Sequence, residues 1–316
     1  MIVPPPTPKS PLKAPARVPI AASFQIAWVG GASARGGIAA ILDAVSRESQ
    51  RRGEVWAEAL EPLRAEPRRA AVLTDVDGTL APIVERAVDA AVPTAARAAL
   101  AELSGRYGLV GCISGRRAAD ARRLVGLDSL AYAGNHGLEL LMPGECEPRA
   151  DASIAGREGE ATEFLTAVDG ERLAAVGLRQ EDKGPIQALH WRGAADESAA
   201  EDRAHEIAIE AGKAGLEPRW GRKVLELRPL GGGGKDGAVA SLLADERLDR
   251  AIYAGDDRTD LDAFRRLRGL AEEGRLSAAV CVGVLSAEAP AELREEADLT
   301  VAGLDGWLAI LEWLAE

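Results

Sequence analysis

The sequence predicts an α/β fold, with a parallel sheet covered by helices on both faces, into which a smaller α+β domain is inserted. Three observations carry that expectation. Short, nearly continuous apolar runs recur at Ala70–Thr74, Leu109–Ile113, Leu130–Ala133, Ala251–Ala254 and Ala278–Val284, the pattern of strands buried on both faces. Helical patterns alternate with them at Thr94–Tyr107, Ala118–Val125, Asp236–Ala244 and Asp260–Leu267, as βαβ units require. Between Leu138 and Arg228 the strand-like stretches instead alternate polar and apolar residues, which marks an antiparallel sheet with one open face.

Taken in order, residues 1–66 read as an extension. Pro4, Pro5, Pro6, Pro8, Pro11 and Pro15 disfavour helix and sheet, and the first 42 residues hold Lys9, Lys13, Arg17 and Arg35 but no acid, so the start reads as an extended, flexible tail. Ile20–Val29, Gly30-Gly31 and a helical stretch Ile38–Arg51 imitate strand, glycine loop and helix, but the spacing departs from G-x-G-x-x-G. The basic, acid-free start is also that of a targeting peptide, although its prolines spoil an amphipathic helix. The α/β core is expected over residues 67–137 and 229–316, and the inserted domain over 138–228. Within the insertion the pattern reads as strand (Leu138–Met142), helix (Ile154–Val168), strand (Ile186–Arg192), helix (Ala199–Ala214) and strand (Lys223–Leu227).

Composition narrows the function. The 316 residues carry 50 acidic and 38 basic side chains, a net charge of −12, which argues against nucleic acid or an anionic membrane as partner. Cys112, Cys146 and Cys281 contain no C-x-x-C pair and fit neither a disulfide framework nor a zinc site, so a reducing cytoplasm is expected. No apolar stretch approaches the ~18–20 residues that span a bilayer. Residues 1–70 hold ten basic and six acidic groups, leaving −16 on the remainder, so any anionic substrate must be drawn by local charge.

Ligands of a parallel sheet bind at the carboxyl ends of its strands. The residues following the apolar runs are Asp75-Val76-Asp77-Gly78-Thr79-Leu80, Ser114-Gly115-Arg116, Gly134-Asn135-His136-Gly137 and Gly255-Asp256-Asp257-Arg258-Thr259-Asp260. Carboxylates gathered there need a hard cation, and a set of oxygen ligands without His or Cys favours Mg²⁺. Lys235 follows a run of four glycines and opens a helix. The segment lacks the glycine and the Ser or Thr of a phosphate-binding P-loop, which are Pro229 and Asp236 here, but a lysine at a helix start can hold a phosphate.

Asp75-x-Asp77-Gly78-Thr79, Ser114, Lys235 and Gly255-Asp256-Asp257 resemble, in order, the four motifs of the haloacid dehalogenase superfamily. Ile113-Ser-Gly-Arg116, Ala133-Gly-Asn-His-Gly137, Ala188-Leu-His-Trp-Arg192, Gly221-Arg-Lys-Val-Leu-Glu-Leu-Arg-Pro229 and Gly255-Asp-Asp-Arg-Thr-Asp260 narrow the resemblance to its trehalose-6-phosphate phosphatase family, from about Pro67 to the end of the chain. The resemblance implies a Rossmann-like core with an inserted cap of the C2 type. It implies Asp75 as nucleophile, Asp77 as general acid and base oriented by Thr79, and Ser114 and Lys235 as phosphoryl ligands. Mg²⁺ would be held by Asp75, the Asp77 carbonyl and Asp256, with Asp257 or Asp260 in support.

Substrate contacts are expected from Gly78, Gly115, Arg116, Asn135, His136 and Glu139 on the core, and from Glu181, Lys183, His190, Arg192, Arg222, Lys223 and Glu226 on the cap. Strand alternation places Leu225 and Leu227 on one face and Arg222, Glu226 and Arg228 on the other. The implied reaction releases trehalose and phosphate from trehalose 6-phosphate, with a pathway link to a trehalose-6-phosphate synthase and a monomer or weak oligomer as the working unit. Alternatives are a phosphatase for glucosylglycerol, sucrose or mannosylglycerate phosphate, and a sugar-phosphate sensor without turnover. Two departures stand out: Leu261 replaces the glutamate of a D-E-D segment, and the loop before Lys235 lacks the usual hydroxyl or amide.

Overall fold

The computed structural model describes residues 56–84, 89–168, 170–231, 233–287 and 289–316. The readings of the proline-rich start, of Gly30-Gly31 and of Ile38–Arg51 lie outside the described residues. Residues 56–65 form helix α1. The core then runs β1 (Ala70–Asp75), α2 (Thr94–Arg106), β2 (Leu109–Ile113), α3 (Ala118–Val125), β3 (Ala131–Gly134), β4 (Glu139–Leu141) and β5 (Arg149–Ala150). A second region follows with α4 (Glu160–Ala167), α5 (Gly170–Ala175), β6 (Arg179–Asp182), β7 (Gln187–His190), α6 (Glu197–Lys213), β8 (Leu216–Gly221) and β9 (Val224–Pro229). The chain returns through α7 (Lys235–Leu242), β10 (Arg250–Gly255), α8 (Asp260–Glu272), β11 (Ala278–Leu285), α9 (Ala291–Glu296), β12 (Leu299–Ala302) and α10 (Gly303–Ala315).

Among the described residues the large sheet has the order β12-β11-β10-β1-β2-β3-β4-β5. From β12 to β3 every pairing is parallel. All six residues of β1 are buried, because α1, α2, α3 and α10 pack one sheet face around Val72, Leu100 and Trp307, and α7, α8 and α9 pack the other around Leu73, Phe264 and Leu293. Each fully buried Leu or Val contributes roughly 1.5–3 kcal/mol. This two-faced burial is why the strands read as unbroken apolar runs.

The stretch Leu138–Met142, expected to open the insertion, does form a strand, but β4 pairs antiparallel with β3 at the edge of the large sheet. Leu141 and Leu140 pack into opposite apolar layers, so the edge of β3 is covered and the sheet extended. The helix expected over Ile154–Val168 is interrupted: a 3₁₀ turn at Ala152–Ile154 is followed by Gly156 at φ +77°, and α4 starts only at Glu160.

The smaller sheet is antiparallel, in the order β6-β7-β9-β8. Leu189, Leu225 and Leu227 face α4, α5 and α6 and pack with Leu165, Leu173 and Ile207. The opposite face carries Glu181, His190, Glu226 and Arg228, as strand alternation demands. Asp196 caps α6 by accepting a hydrogen bond from the Ala199 amide at 3.0 Å.

Candidate active site

β1 and β10 lie side by side in parallel register, Thr74 opposite Ala254, so Asp75 and Asp256 emerge together at their carboxyl ends. Carboxylate oxygens of Asp75, Asp256 and Asp260 all lie within 4.8 Å of one another, and the three residues are buried. Lys235, at the first turn of α7, reaches into this cluster. Its Nζ donates to Asp75 Oδ1 at 2.7 Å and to Asp260 Oδ1 at 2.6 Å. Burial works against the ammonium charge, but Asp260 and Asp75 outweigh it and push the lysine pKa up. Burial likewise pushes the Asp75 carboxyl well above its ordinary range despite Lys235, and Asp256 up to about 6. Acids packed with too little countercharge fit a cation.

The acids are not equivalent. Asp260 Oδ1 accepts from Lys235 and from the Tyr253 hydroxyl at 2.5 Å, and Oδ2 accepts from the Asp256 and Asp257 amides at 3.0 and 2.9 Å. An ionised carboxylate offers about four acceptor sites, so Asp260 is saturated and acts as the hub that fixes Lys235 and the β10–α8 loop. Asp257 Oδ1 receives the Thr259 amide and hydroxyl, both at 2.7 Å, and so ties down the start of α8. Asp75 and Asp256 retain acceptor capacity for a metal.

Gly78 sits at φ +95°, and a Cβ there would lie 2.1 Å from Asp256 Oδ2. Only glycine lets the turn after Asp77 pass so close to the acids. Thr79 donates to Asp256 Oδ1 at 2.9 Å, which places it on Asp256 where orientation of Asp77 was expected. Asp77 is instead gripped by Arg116, with Nε to Oδ2 at 2.8 Å and a terminal nitrogen to Oδ1 at 2.7 Å. Ser114 is buried at the end of β2, and its Oγ accepts from the Arg116 amide at 3.1 Å. Beneath the cluster, the Trp307 indole donates to Thr74 Oγ1 at 3.1 Å, and that hydroxyl donates to the Asp75 carbonyl at 2.8 Å.

The Gly134–Gly137 segment links β3 to β4 within the large sheet and reaches the second region through Asn135. Asn135, His136 and Gly137 have φ of +51°, +56° and +93°, a tight left-handed path that folds His136 over Gly115, where a Cβ would meet the ring at 2.8 Å. Asn135 Nδ2 donates to the Lys183 carbonyl at 2.6 Å. Glu139, expected as a substrate contact, accepts from the Ala118 amide at 3.0 Å and so caps α3; its Oε1 lies where a Cβ on Gly184 would fall. Burial, reinforced by Lys235, Arg228 and Lys183 against the pull of Glu226, lowers the His136 pKa to about 4.

On the small sheet, Lys183 Nζ pairs with Glu226 Oε1 at 2.8 Å, and His190 Nε2 meets Glu181 Oε2 at 2.7 Å. Arg192, Arg222 and Lys223 gather at the opposite end of β9. The strand expected from Lys223 starts at Val224, and Arg222 and Lys223 form the β8–β9 turn, with Lys223 at φ +63° and its ammonium paired to Glu197. Arg192 donates to the Arg222 carbonyl at 3.4 Å. Sequence reasoning did not single out Tyr253, which donates to Asp260, or Trp307, which holds Thr74 beneath Asp75.

The trehalose-phosphatase family model matches residues 73–296. A Mycobacterium tuberculosis protein described as an uncharacterized glycosyl hydrolase is 38% identical over 210 residues, covering 64% of this chain and 15% of its own. A trehalose-phosphate phosphatase of Mycobacterium marinum is 40% identical over 207 residues, covering 62% of this chain and 51% of its own, so the chain spans about half of that relative. The C-terminal domain of Candida albicans trehalose-6-phosphate phosphatase shares the fold, with TM-score 0.61 and 22% identity over 80% of this chain and 94% of that one. With the matched segment spanning the acidic cluster, the lysine and the whole of the smaller sheet, the chain belongs to the trehalose-phosphatase family.

Proposed function

We propose that the chain is a Mg²⁺-dependent phosphatase that hydrolyses trehalose 6-phosphate to trehalose and phosphate. The observation that carries this reading is the contact of Lys235 with Asp75 inside a buried cluster of three carboxylates. Asp75 attacks phosphorus, and the bond to the sugar oxygen breaks as an aspartyl phosphate forms. Asp77 gives its proton to the departing sugar oxygen, then takes one from the water that cleaves the acyl phosphate. For this Asp77 must leave at least part of its pairing with Arg116. Lys235 and the Ser114 hydroxyl offset charge on the phosphoryl oxygens.

Asp75 and Asp256, with the Asp77 carbonyl, form the oxygen donor set for Mg²⁺, and Asp257 and Asp260 hold the surrounding loop. When bound, the ion supplies Lewis-acid stabilisation of phosphoryl charge. The residues from α4 to β9 serve as the cap over this site: Lys183, Glu226, Glu181 and His190 present hydrogen-bonding groups to the sugar, and docking of the cap excludes water.

Phosphate release from a panel of sugar phosphates, with and without Mg²⁺, tests the reading for wild type and Asp75→Asn. Trehalose 6-phosphate should be the best ester, chelation should abolish release, and the variant should be inactive. Rapid release from another sugar phosphate with indifference to trehalose 6-phosphate would overturn the substrate, and an active Asp75→Asn would overturn the mechanism.

A further inference from the structure

Arg228 is a buried charge without a hydrogen-bonded partner. β9 directs Leu225 and Leu227 toward the helices, so Arg228 and Glu226 project from the opposite, polar face. The Arg228 side chain is 9% exposed, and its ion-pair contact, Glu217 Oε2, lies 3.9 Å from Nε, beyond hydrogen-bond distance. Glu217 is already committed to Arg219, whose guanidinium lies 2.6 Å from Oε1. Nε is shielded and lacks an acceptor, and the guanidinium donates no hydrogen bond among the described residues. Burial, with Arg219 beside it, lowers the pKa of the group.

The shielded Nε is a cost to the fold, whereas the terminal nitrogens are not shielded in this way and hold donors that an acceptor from outside the chain can take. The setting says of what kind. Arg228 shares the polar face with Glu226, whose partner Lys183 accepts at its carbonyl from Asn135, and the adjacent His136 covers Gly115. In the reading above the phosphoryl position is served by Lys235. Arg228 therefore stands on the face that the reading above turns toward the sugar. Its neighbours Lys183 and Glu226 satisfy each other and must break that pair to hold a ligand, whereas Arg228 has donors ready.

We infer that Arg228 is a specificity-determining residue whose guanidinium donates hydrogen bonds to oxygen atoms of the substrate's sugar moiety beside His136. This rests on the sugar-phosphate phosphatase reading above and adds to it a donor that must be paired by the correct substrate and is left unpaired by a less oxygenated one.

The test compares wild type with Arg228→Gln and Arg228→Lys in four measurements: KM and kcat for trehalose 6-phosphate, the dissociation constant of trehalose, the inhibition constant of orthophosphate, and the melting temperature. In Arg228→Gln, KM and the trehalose dissociation constant should rise about tenfold, the loss of one charge-assisted hydrogen bond. Arg228→Lys should recover only part, because an ammonium lacks the planar fork. The melting temperature should stay level or rise, since an unpaired buried charge has been removed. Unchanged KM and trehalose binding would overturn the inference, as would a lowered melting temperature with KM intact, which marks a structural role. A rise confined to the inhibition constant of orthophosphate would also overturn it and assign Arg228 to the phosphate. If the wild type ignores trehalose 6-phosphate but hydrolyses another sugar phosphate, the functional reading falls alone; the comparison is then made with that ester and its dephosphorylated sugar, under the same criteria.

Discussion

Lys235 Nζ lies 2.7 Å from Asp75 Oδ1 although 160 residues separate them in sequence. Removing the ammonium by Lys235→Met leaves Asp75 and Asp260 facing each other without countercharge. Breaking a buried pair on one side costs about 3–5 kcal/mol, and loss of a phosphoryl ligand lowers kcat by about 10²–10³. Denaturant unfolding and phosphate release should show both, with Mg²⁺ raising the variant's melting temperature more than that of wild type. A fully stable, active variant would contradict the assignment.

Gly78→Ala places a methyl carbon 2.1 Å from Asp256 Oδ2 at a backbone φ of +95°. Strain of this kind costs on the order of 1–3 kcal/mol, and relief by displacing Asp256 spoils the metal ligand set. Mg²⁺ titration of turnover should therefore show a raised half-saturating concentration beside a lowered melting temperature.

His136 predicts a pH dependence of stability. Its folded pKa of about 4 lies below the ordinary 6.5, so the unfolded chain takes up a proton first as pH falls. The neutral imidazole contributes its full stability above about pH 6.5, and that contribution drains away down to pH 4, by on the order of 2–3 kcal/mol. Glu226, Lys235, Arg228 and Lys183 surround the ring electrostatically. His136→Asn, which tolerates the left-handed backbone, should flatten the slope of unfolding free energy between pH 4 and 6.5.

In the function proposed above, the surplus of negative charge beyond residue 70 makes Mg²⁺ part of anion recognition. Orthophosphate should bind measurably by calorimetry in the presence of Mg²⁺ and lose most of that affinity in chelator, as expected when the ion is the largest local positive charge. Equal affinity in both conditions would place recognition on Lys235 and the arginines alone.

Trp307→Phe removes the indole donor that holds Thr74 beneath Asp75. The loss should be about 1–2 kcal/mol of stability, with a fall in kcat and little change in KM, because Asp75 moves while the sugar contacts do not.

Most of the core was legible because physics places ligands after buried parallel strands. Asp75, Ser114, Asn135 and Asp256 each follow an apolar run, so listing those positions finds the cluster. Legibility failed where burial is shared between elements. β6 is Arg179-Gln180-Glu181-Asp182 and wholly exposed, with no apolar residue to betray a strand. β4 has the composition of an inserted strand, and only its pairing with β3 assigns it to the large sheet. Arg228 alternates correctly in sequence, but its burial and the missing acceptor at its Nε among the described residues arise from the packed surroundings of the polar face. The role of Thr79 was misplaced for a similar reason: the contact with Asp256 spans 177 residues and leaves no local trace.

The parallel pairing of β1 with β10, from Ala70 opposite Arg250 to Thr74 opposite Ala254, has a consequence for biosynthesis. Antiparallel neighbours β6 to β9 close within a short span and can form as soon as they leave the ribosome. The central sheet cannot close until the last third of the chain has been made, and closing so long a loop is slow. Until then Asp75 has neither Lys235 nor Asp256 beside it, and the unpaired edge of β1 stays open to wrong partners. A nascent chain halted before Arg250 should carry a folded middle region and an incomplete large sheet, with catalytic competence appearing only at the end of synthesis.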